Sequence, residues 1–192
     1  ILAGGQGNQG LLEDLGLRQP AMERRTVHMV LIKHAGLPAL HAHCLGSSTK
    51  PRLTITSHPT RDGGRVWYVG GELAEEGAQR DDRLQVEHAQ RELKELLPWI
   101  DLRGARFKTL KLDRILPDGE RGLFKPEHAF VEPRGNNIVA WPCKMTLAPN
   151  LGRQVLSLLE KEGMKPEHPP LAEALPLLYP EIGQPAWETL FD

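Results

Sequence analysis

Between Arg25 and Val69 the sequence breaks into short alternating runs joined by brief turn sequences, and this spacing constrains the fold more than any other feature. Arg25 to Lys33 reads as a strand with Val27, Met29 and Leu31 on one face and His28, Val30 and Ile32 on the other. Leu40 to Leu45, Leu53 to Ser57 and Arg65 to Val69 read as further strands. Gly36-Leu37-Pro38, the loop Gly46 to Pro51 and the hairpin turn Arg61-Asp62-Gly63-Gly64 separate them. Connections this short join antiparallel neighbours, so the segment is expected to form an antiparallel meander ending at Gly70-Gly71.

A helix follows. Asp81-Asp82 supplies a cap, Pro98 a stop, and Leu84, Val86, Ala89, Leu93, Leu96 and Leu97 a broad apolar stripe. Arg106 to Ile115 alternates again as a strand, with Lys108, Leu110, Leu112 and Arg114 on one face and Pro117-Asp118-Gly119 as the turn after it. His128 to Glu132 and Asn137 to Trp141 read as two strands joined at Pro133-Arg134-Gly135-Asn136. Thr146-Leu147-Ala148-Pro149 enters a helix that runs to about Glu162, and the chain from Lys165 is rich in proline, with a short helix possible at Leu171 to Leu178.

The beginning of the chain carries a different signal. Ile1-Leu2-Ala3 is an apolar strand that ends at once in the turn Gly4-Gly5-Gln6-Gly7, followed by a helix over Leu11 to Leu17. Glycines at such a turn let backbone approach a ligand closely. Gly5, Gly7 and Gly10 fit the spacing G-x-G-x-x-G, but no βαβ unit follows and no acidic residue ends a second strand, so this is not the dinucleotide fingerprint itself. The chain is read as the C-terminal part of a larger protein, cut inside its cofactor domain.

A formal net charge of -1 gives no bulk attraction for nucleic acid, and no apolar run approaches the ~20 residues that span a bilayer. Cys44 and Cys143 lack metal-type spacing and read as buried thiols in a reducing, cytoplasmic compartment. A small-molecule partner is the remaining class, and a homo-oligomer stays open.

Several segments, in this order, resemble the D-amino-acid-oxidase-like superfamily of FAD-dependent oxidoreductases. Ile1 to Gly5 followed by Leu11-Leu12 is similar to a late strand and helix of the FAD domain. Val66 to Gly77, Leu93 to Pro98 and Asp113 to Pro117 are similar to the inserted substrate domain, and Ile138 to Leu151 to the last strand, turn and helix. Two departures stand out: the last turn reads Trp141 to Pro149 instead of glycine-rich, and the arginine motif reads Asp-Arg-Ile-Leu-Pro. The resemblance implies an α+β fold: a mixed, largely antiparallel sheet flanked by helices, with remnants of an FAD-binding α/β domain at both ends. It divides the chain into a late strand and helix of the FAD-binding domain (1–17), a substrate-binding domain (18–116), flavin-contacting strands and helix (117–163) and a proline-rich tail (164–192).

The implied chemistry is oxidation of an amine or amino acid by hydride transfer to FAD, which needs no strong protein base. A missing N-terminal FAD-binding segment is the implied partner. Arg114 would anchor a substrate carboxylate through its two-pronged guanidinium, or alternatively sit on an exposed strand paired with Asp113 or Asp118. Tyr68 and His28 are the other candidates for the substrate pocket; since Trp67 and Tyr68 point to opposite faces, at most one of that pair lines it. Ala3, Gly4, Gly5, Gly70 and Gly71 are candidates for backbone contact with the cofactor, with a plain turn or bulge as the other reading. Lys144, Met145, Thr146 and Leu147 open a helix whose N-terminus suits the anionic edge of a reduced flavin, unless Thr146 simply caps it. Two rival readings remain: a stand-alone module binding an anion or small molecule without redox activity, and a hydrolase built on Cys44, His41 and His43.

Overall fold

The computed structural model describes residues 1–117, 128–141, 143–165 and 181–192. The expected turn at Pro117-Asp118-Gly119 and the expected helix at Leu171 to Leu178 fall wholly or partly outside the described residues. The chain divides into two compact units: Ile1–Arg25 with Arg114–Tyr179, and Thr26–Asp113 with Pro180–Asp192.

The second unit is built on a five-stranded sheet of order β2-β3-β4-β1-β5. Its strands are β1 (Met22–Lys33), β2 (Ala42–Leu45), β3 (Pro51–Pro59), β4 (Arg65–Gly70) and β5 (Arg106–Pro117). β2 pairs antiparallel with β3 and β3 with β4, as their short turns require, but β1 pairs antiparallel with β4 and not with β2, so the expected meander holds for β2 to β4 and the first strand crosses over to the far side of β4. Helices α2 (Glu72–Glu76) and α3 (Asp82–Leu96) follow β4. Asp81 caps α3 by accepting the Leu84 N–H at 2.8 Å.

One face of this sheet is sealed. Val30, Ile32, Leu53, Ile55, Trp67 and Val69 bury against Ala89, Leu93 and Leu97 of α3 and its C-terminus. The helix and its C-cap bury Ala89, Leu93 and Leu97 of the expected stripe, but at its first turn Gln85 takes the inward position and Leu84 is left 39% exposed. The reason is polar. Gln85 Nε2 donates to the carbonyls of His28 (2.6 Å) and Leu73 (3.0 Å), and Oε1 accepts from Arg80 at 3.1 Å, so a buried amide takes the place of an apolar side chain. The other face carries Val27, Met29, Leu31, Val66, Tyr68 and Leu110, and the C-terminal segment packs on part of it through Phe191, Trp187 and Leu190.

In the first unit, β6 (Phe130–Arg134) and β7 (Asn137–Trp141) form an antiparallel hairpin, with Gly135 at φ 57° in the two-residue turn. Leu2 adds a parallel bridge to Val139. Helix α1 spans Asn8–Asp14 and α4 spans Ala148–Lys161. The first helix therefore starts earlier than the leucine pattern suggests, because a 3₁₀ turn over Gly5–Gly7 winds the chain before Asn8. The whole is an α+β fold with a mainly antiparallel sheet flanked by helices.

Candidate functional site

The site in the first unit starts from Leu2. Its N–H donates to the Ile138 carbonyl at 2.7 Å, and its own carbonyl accepts the Ala140 N–H at 2.9 Å. Because this pairing is parallel, the chain leaves both segments at the same edge. From Leu2 it enters the glycine turn Gly4–Gly7, and from β7 it enters the loop Trp141 to Leu147. Ligands of α/β sheets lie beyond the carboxyl ends of parallel strands.

Asn8 fixes this edge. It is fully buried; Oδ1 accepts the Gly4 N–H at 2.6 Å, and Nδ2 donates to the carbonyls of Leu2 (3.3 Å) and Ala140 (3.2 Å). One amide thus ties the glycine turn to β7. Gly5 sits at φ 55°, where a side chain is strained, and a β-carbon at Gly5 or Gly7 would meet nothing within 4 Å. The outer side of the turn is open. Sequence reasoning missed Asn8; the available signal was a polar residue at the start of an otherwise leucine-rich helix.

The second loop has matching features. Cys143 adopts φ 58°, the one positive φ at a non-glycine among the described residues. Its Sγ donates to the Trp141 carbonyl at 3.7 Å. A 3₁₀ turn over Met145–Leu147 then enters α4, whose N-cap is Leu147, with no side-chain cap hydrogen bond. This corrects the expectation that Thr146 caps the helix: the tight turn shifts the first helical residue to Ala148. The first N–H groups of α4 therefore have no side-chain cap, and the positive end of the helix dipole faces the loop. Lys144 is half-buried, while Met145 (83% exposed) and Thr146 stand open. Asn150 and Gln154 brace the same helix end: Asn150 Oδ1 accepts the Ala129 N–H at 3.0 Å, and Gln154 donates to the Ala129 carbonyl at 3.3 Å. Ala3, Gly4, Gly5 and Lys144 to Leu147 thus occur in one unit, on the two loops that leave one sheet edge. Open backbone at Gly5 and Gly7, the positive end of the α4 dipole and a nearby lysine suit an anionic group, although the Ala148 N–H is already bonded to the Met145 carbonyl and Pro149 has no N–H to offer.

Arg114, also in the first unit, is exposed near the end of β5. Its neighbour Asp113 accepts the Thr26 hydroxyl at 2.7 Å. Tyr68, His28, Gly70 and Gly71 lie in the second unit.

Tyr68 and His28 occupy opposite faces there. Tyr68 pairs with Leu31 and is half-buried on the less covered face. His28 is fully buried against the helices, with Nδ1 3.1 Å from the Gly77 carbonyl and Nε2 3.2 Å from Asp82 Oδ1. Both ring nitrogens meet acceptors of the chain itself, so His28 holds α3 onto the sheet instead of facing an open pocket. Gly70 and Gly71 are likewise explained from within. A β-carbon at Gly70 would lie 2.6 Å from Met29 Cε, and one at Gly71, at φ 85°, would lie 2.8 Å from the Pro51 carbonyl. Close approach of the chain's own atoms, not a ligand, demands glycine at both.

The hydrolase reading loses its geometry. His43 pairs with Thr54 and Cys44 with Leu53, so the two point to opposite faces. Cys44 packs against the sealed core, and burial pushes its thiol pKa up, away from the thiolate a nucleophile needs. Among the described residues no group of His, Cys, Asp or Glu could hold a metal ion, and no helix is long and apolar enough to cross a membrane.

No protein-family model matches the chain. The chain as a whole nevertheless has a counterpart of known structure. The chain is 49% identical over 194 aligned positions to "Probable FAD-dependent oxidoreductase PA4991" of Pseudomonas aeruginosa, an alignment covering 100% of this chain and 48% of that protein. The crystal structure of the FAD-dependent oxidoreductase PA4991 superposes with a TM-score of 0.89 at 48% identity, over 99% of this chain and 52% of that one. The chain therefore spans about half the length of the relative it matches.

Proposed function

We propose that this chain supplies the substrate-binding sheet and the C-terminal flavin-contacting elements of an FAD-dependent oxidoreductase that oxidises an amine or amino acid. The observation that carries this reading is the parallel pairing of Leu2 with Val139, which sends the glycine turn and the α4 entry loop off the same sheet edge. The printed name of the relative supports FAD as the cofactor. In this proposal residues 1–17 and 117–163 belong to the FAD-binding part and 18–116 to the substrate-binding domain.

FAD, when bound, supplies the hydride acceptor. Gly4 and Gly5 let backbone lie against it, and Asn8 keeps that backbone in place. The positive end of the α4 dipole, with Lys144 beside it, favours a negatively charged ring edge and so favours the reduced state. Tyr68 faces substrate from the open sheet face, and Arg114 anchors a carboxylate where the substrate has one. Cys44 and Cys143 form no disulfide, which suits a cytoplasmic setting.

The test is to purify the protein from its complete coding region and record its visible spectrum. Anaerobic mixing with a panel of amines and amino acids follows. A yellow protein whose flavin bleaches with a panel member supports the reading, and Arg114→Ala then raises KM for a carboxylate-bearing substrate about a hundredfold. A colourless, folded protein that binds small anions supports a module without redox activity instead.

A further inference from the structure

The sequence motifs leave the end of the chain unexplained, yet the structure docks it on the open sheet face, within the second unit. Hydrogen bonds, a cation–π contact and ring stacking hold the segment. The Arg61 N–H donates to Glu188 Oε1 at 3.0 Å, and the Arg61 guanidinium bonds Gln184. Arg106 Nη2 donates to the Phe191 carbonyl at 2.6 Å while its guanidinium lies 5.3 Å from the Phe191 ring centre. Phe191 itself is buried on Leu31 and Val66. Trp187, in α5 (Ala186–Thr189), stacks on His58 with centroids 3.9 Å apart at 17°, and meets Tyr68 edge-on at 6.5 Å and 69°. His58 is in turn edge-on to Tyr68 at 6.4 Å and accepts or donates one bond with Thr56 Oγ1 at 2.9 Å.

Three rings thus stand together on the face that carries Tyr68, all half-buried. The surrounding strands and turn are basic, with Lys33, Arg61 and Arg106 among them. β2, β3, β4 and residues 27–33 of β1 contain no Asp or Glu, and Thr54, Thr56 and Met29 share this face by register. Met29 and the Thr54 hydroxyl lie over Gly70. The one carboxylate of the docked helix, Glu188, is engaged by Arg61. Burial and the nearby His41 hold the His58 ring towards its neutral form. Two guanidiniums beside the docked segment, Arg61 and Arg106, bond neutral oxygens and so keep their positive charge, which disfavours a second cation on a ligand, while aromatic rings gain from stacking and edge contacts.

We propose that Trp187, with His58 and Tyr68, is a specificity wall that accepts an amine carrying an uncharged, aromatic or broadly apolar side chain and rejects one carrying a second cation. This rests on the assignment of the open face to substrate. The protein from its complete coding region, with bound FAD, is titrated calorimetrically with benzylamine and with putrescine, as wild type, Trp187→Ala and Trp187→Phe. Benzylamine binds the wild type at least about tenfold more tightly than putrescine. Trp187→Ala loses about tenfold for benzylamine alone, and Trp187→Phe restores most of it. Equal affinity for the two probes, an equal loss for both in Trp187→Ala, or no benzylamine binding overturns the proposal. Thermal unfolding of each variant identifies any loss that comes from undocking of the segment, which would weaken both probes together. If benzylamine binds with this pattern but no amine bleaches the flavin, the wall stands and the amine-oxidation reading fails.

Discussion

Replacing Gln85 with leucine removes three hydrogen bonds and almost no volume, and so isolates what the buried amide contributes. In the native chain Nε2 donates to the carbonyls of His28 and Leu73 and Oε1 accepts from Arg80, all at 2.6–3.1 Å. Leucine leaves both carbonyls short of a donor in a site with 0% exposure. Each such loss costs about 1 to 1.5 kcal/mol, and the unpaired Arg80 adds a further fraction, for a total of about 3 kcal/mol. At a chain of this length that lowers Tm by about 6–12 °C. Gln90, exposed on the same helix, is the control: Gln90→Leu stays within about 0.5 kcal/mol. Urea and thermal unfolding of both variants supply the comparison. A Gln85→Leu protein as stable as Gln90→Leu refutes the argument that the amide, not apolar burial, sets the face that α3 presents.

Four further outcomes are expected. Asn8→Ala lowers stability by about 2 kcal/mol in chemical unfolding and weakens FAD retention, because the Gly4 N–H and two carbonyls lose their partner. Gly71→Ala costs about 2 kcal/mol or more, since φ 85° is strained for alanine and the Pro51 carbonyl leaves no room. Thr146→Ala shifts Tm by less than about 2 °C, because Leu147 and not Thr146 occupies the N-cap. The Asp101 carboxyl is held down to about 2 by its hydrogen bonds to Arg103, against an ordinary value of 3.8. Its contribution to stability is therefore present above the ordinary value and lost as pH falls through about 2. An NMR titration checks this, with Arg103→Ala expected to return the midpoint towards the ordinary value.

The strands were legible because a half-buried strand must alternate, whereas the pairing of β1 with β4 in place of β2 was not, because turn length says nothing about which distant strand closes the sheet. Leu53 to Ser57 and Arg65 to Val69 lie inside β3 and β4, each of which the structure extends by a residue or more. The Asp81 cap was legible because an acidic side chain before an apolar stripe satisfies a helix start. What stayed hidden depends on partners distant in sequence. Gln85 and Asn8 look like surface residues until the carbonyls they serve are known. His28 reads equally as a pocket residue or a strut, and only the positions of Gly77 and Asp82 decide. Trp187 and Phe191 sit in a proline-rich tail with no periodicity, so their docking could not be read from pattern. The glycine turn and the entry loop of α4 were legible as separate loops; the parallel Leu2–Val139 bridge that unites them was not.

The central claim is that this loop edge contacts the flavin. Its most direct test is the FAD dissociation constant of the protein from its complete coding region, compared between wild type and Lys144→Ala, with the flavin reduction potential read on the same samples. The account predicts about tenfold weaker FAD binding and a more negative potential in the variant, since a positive charge beside the ring edge favours the reduced form. An unchanged dissociation constant together with an unchanged potential would contradict it.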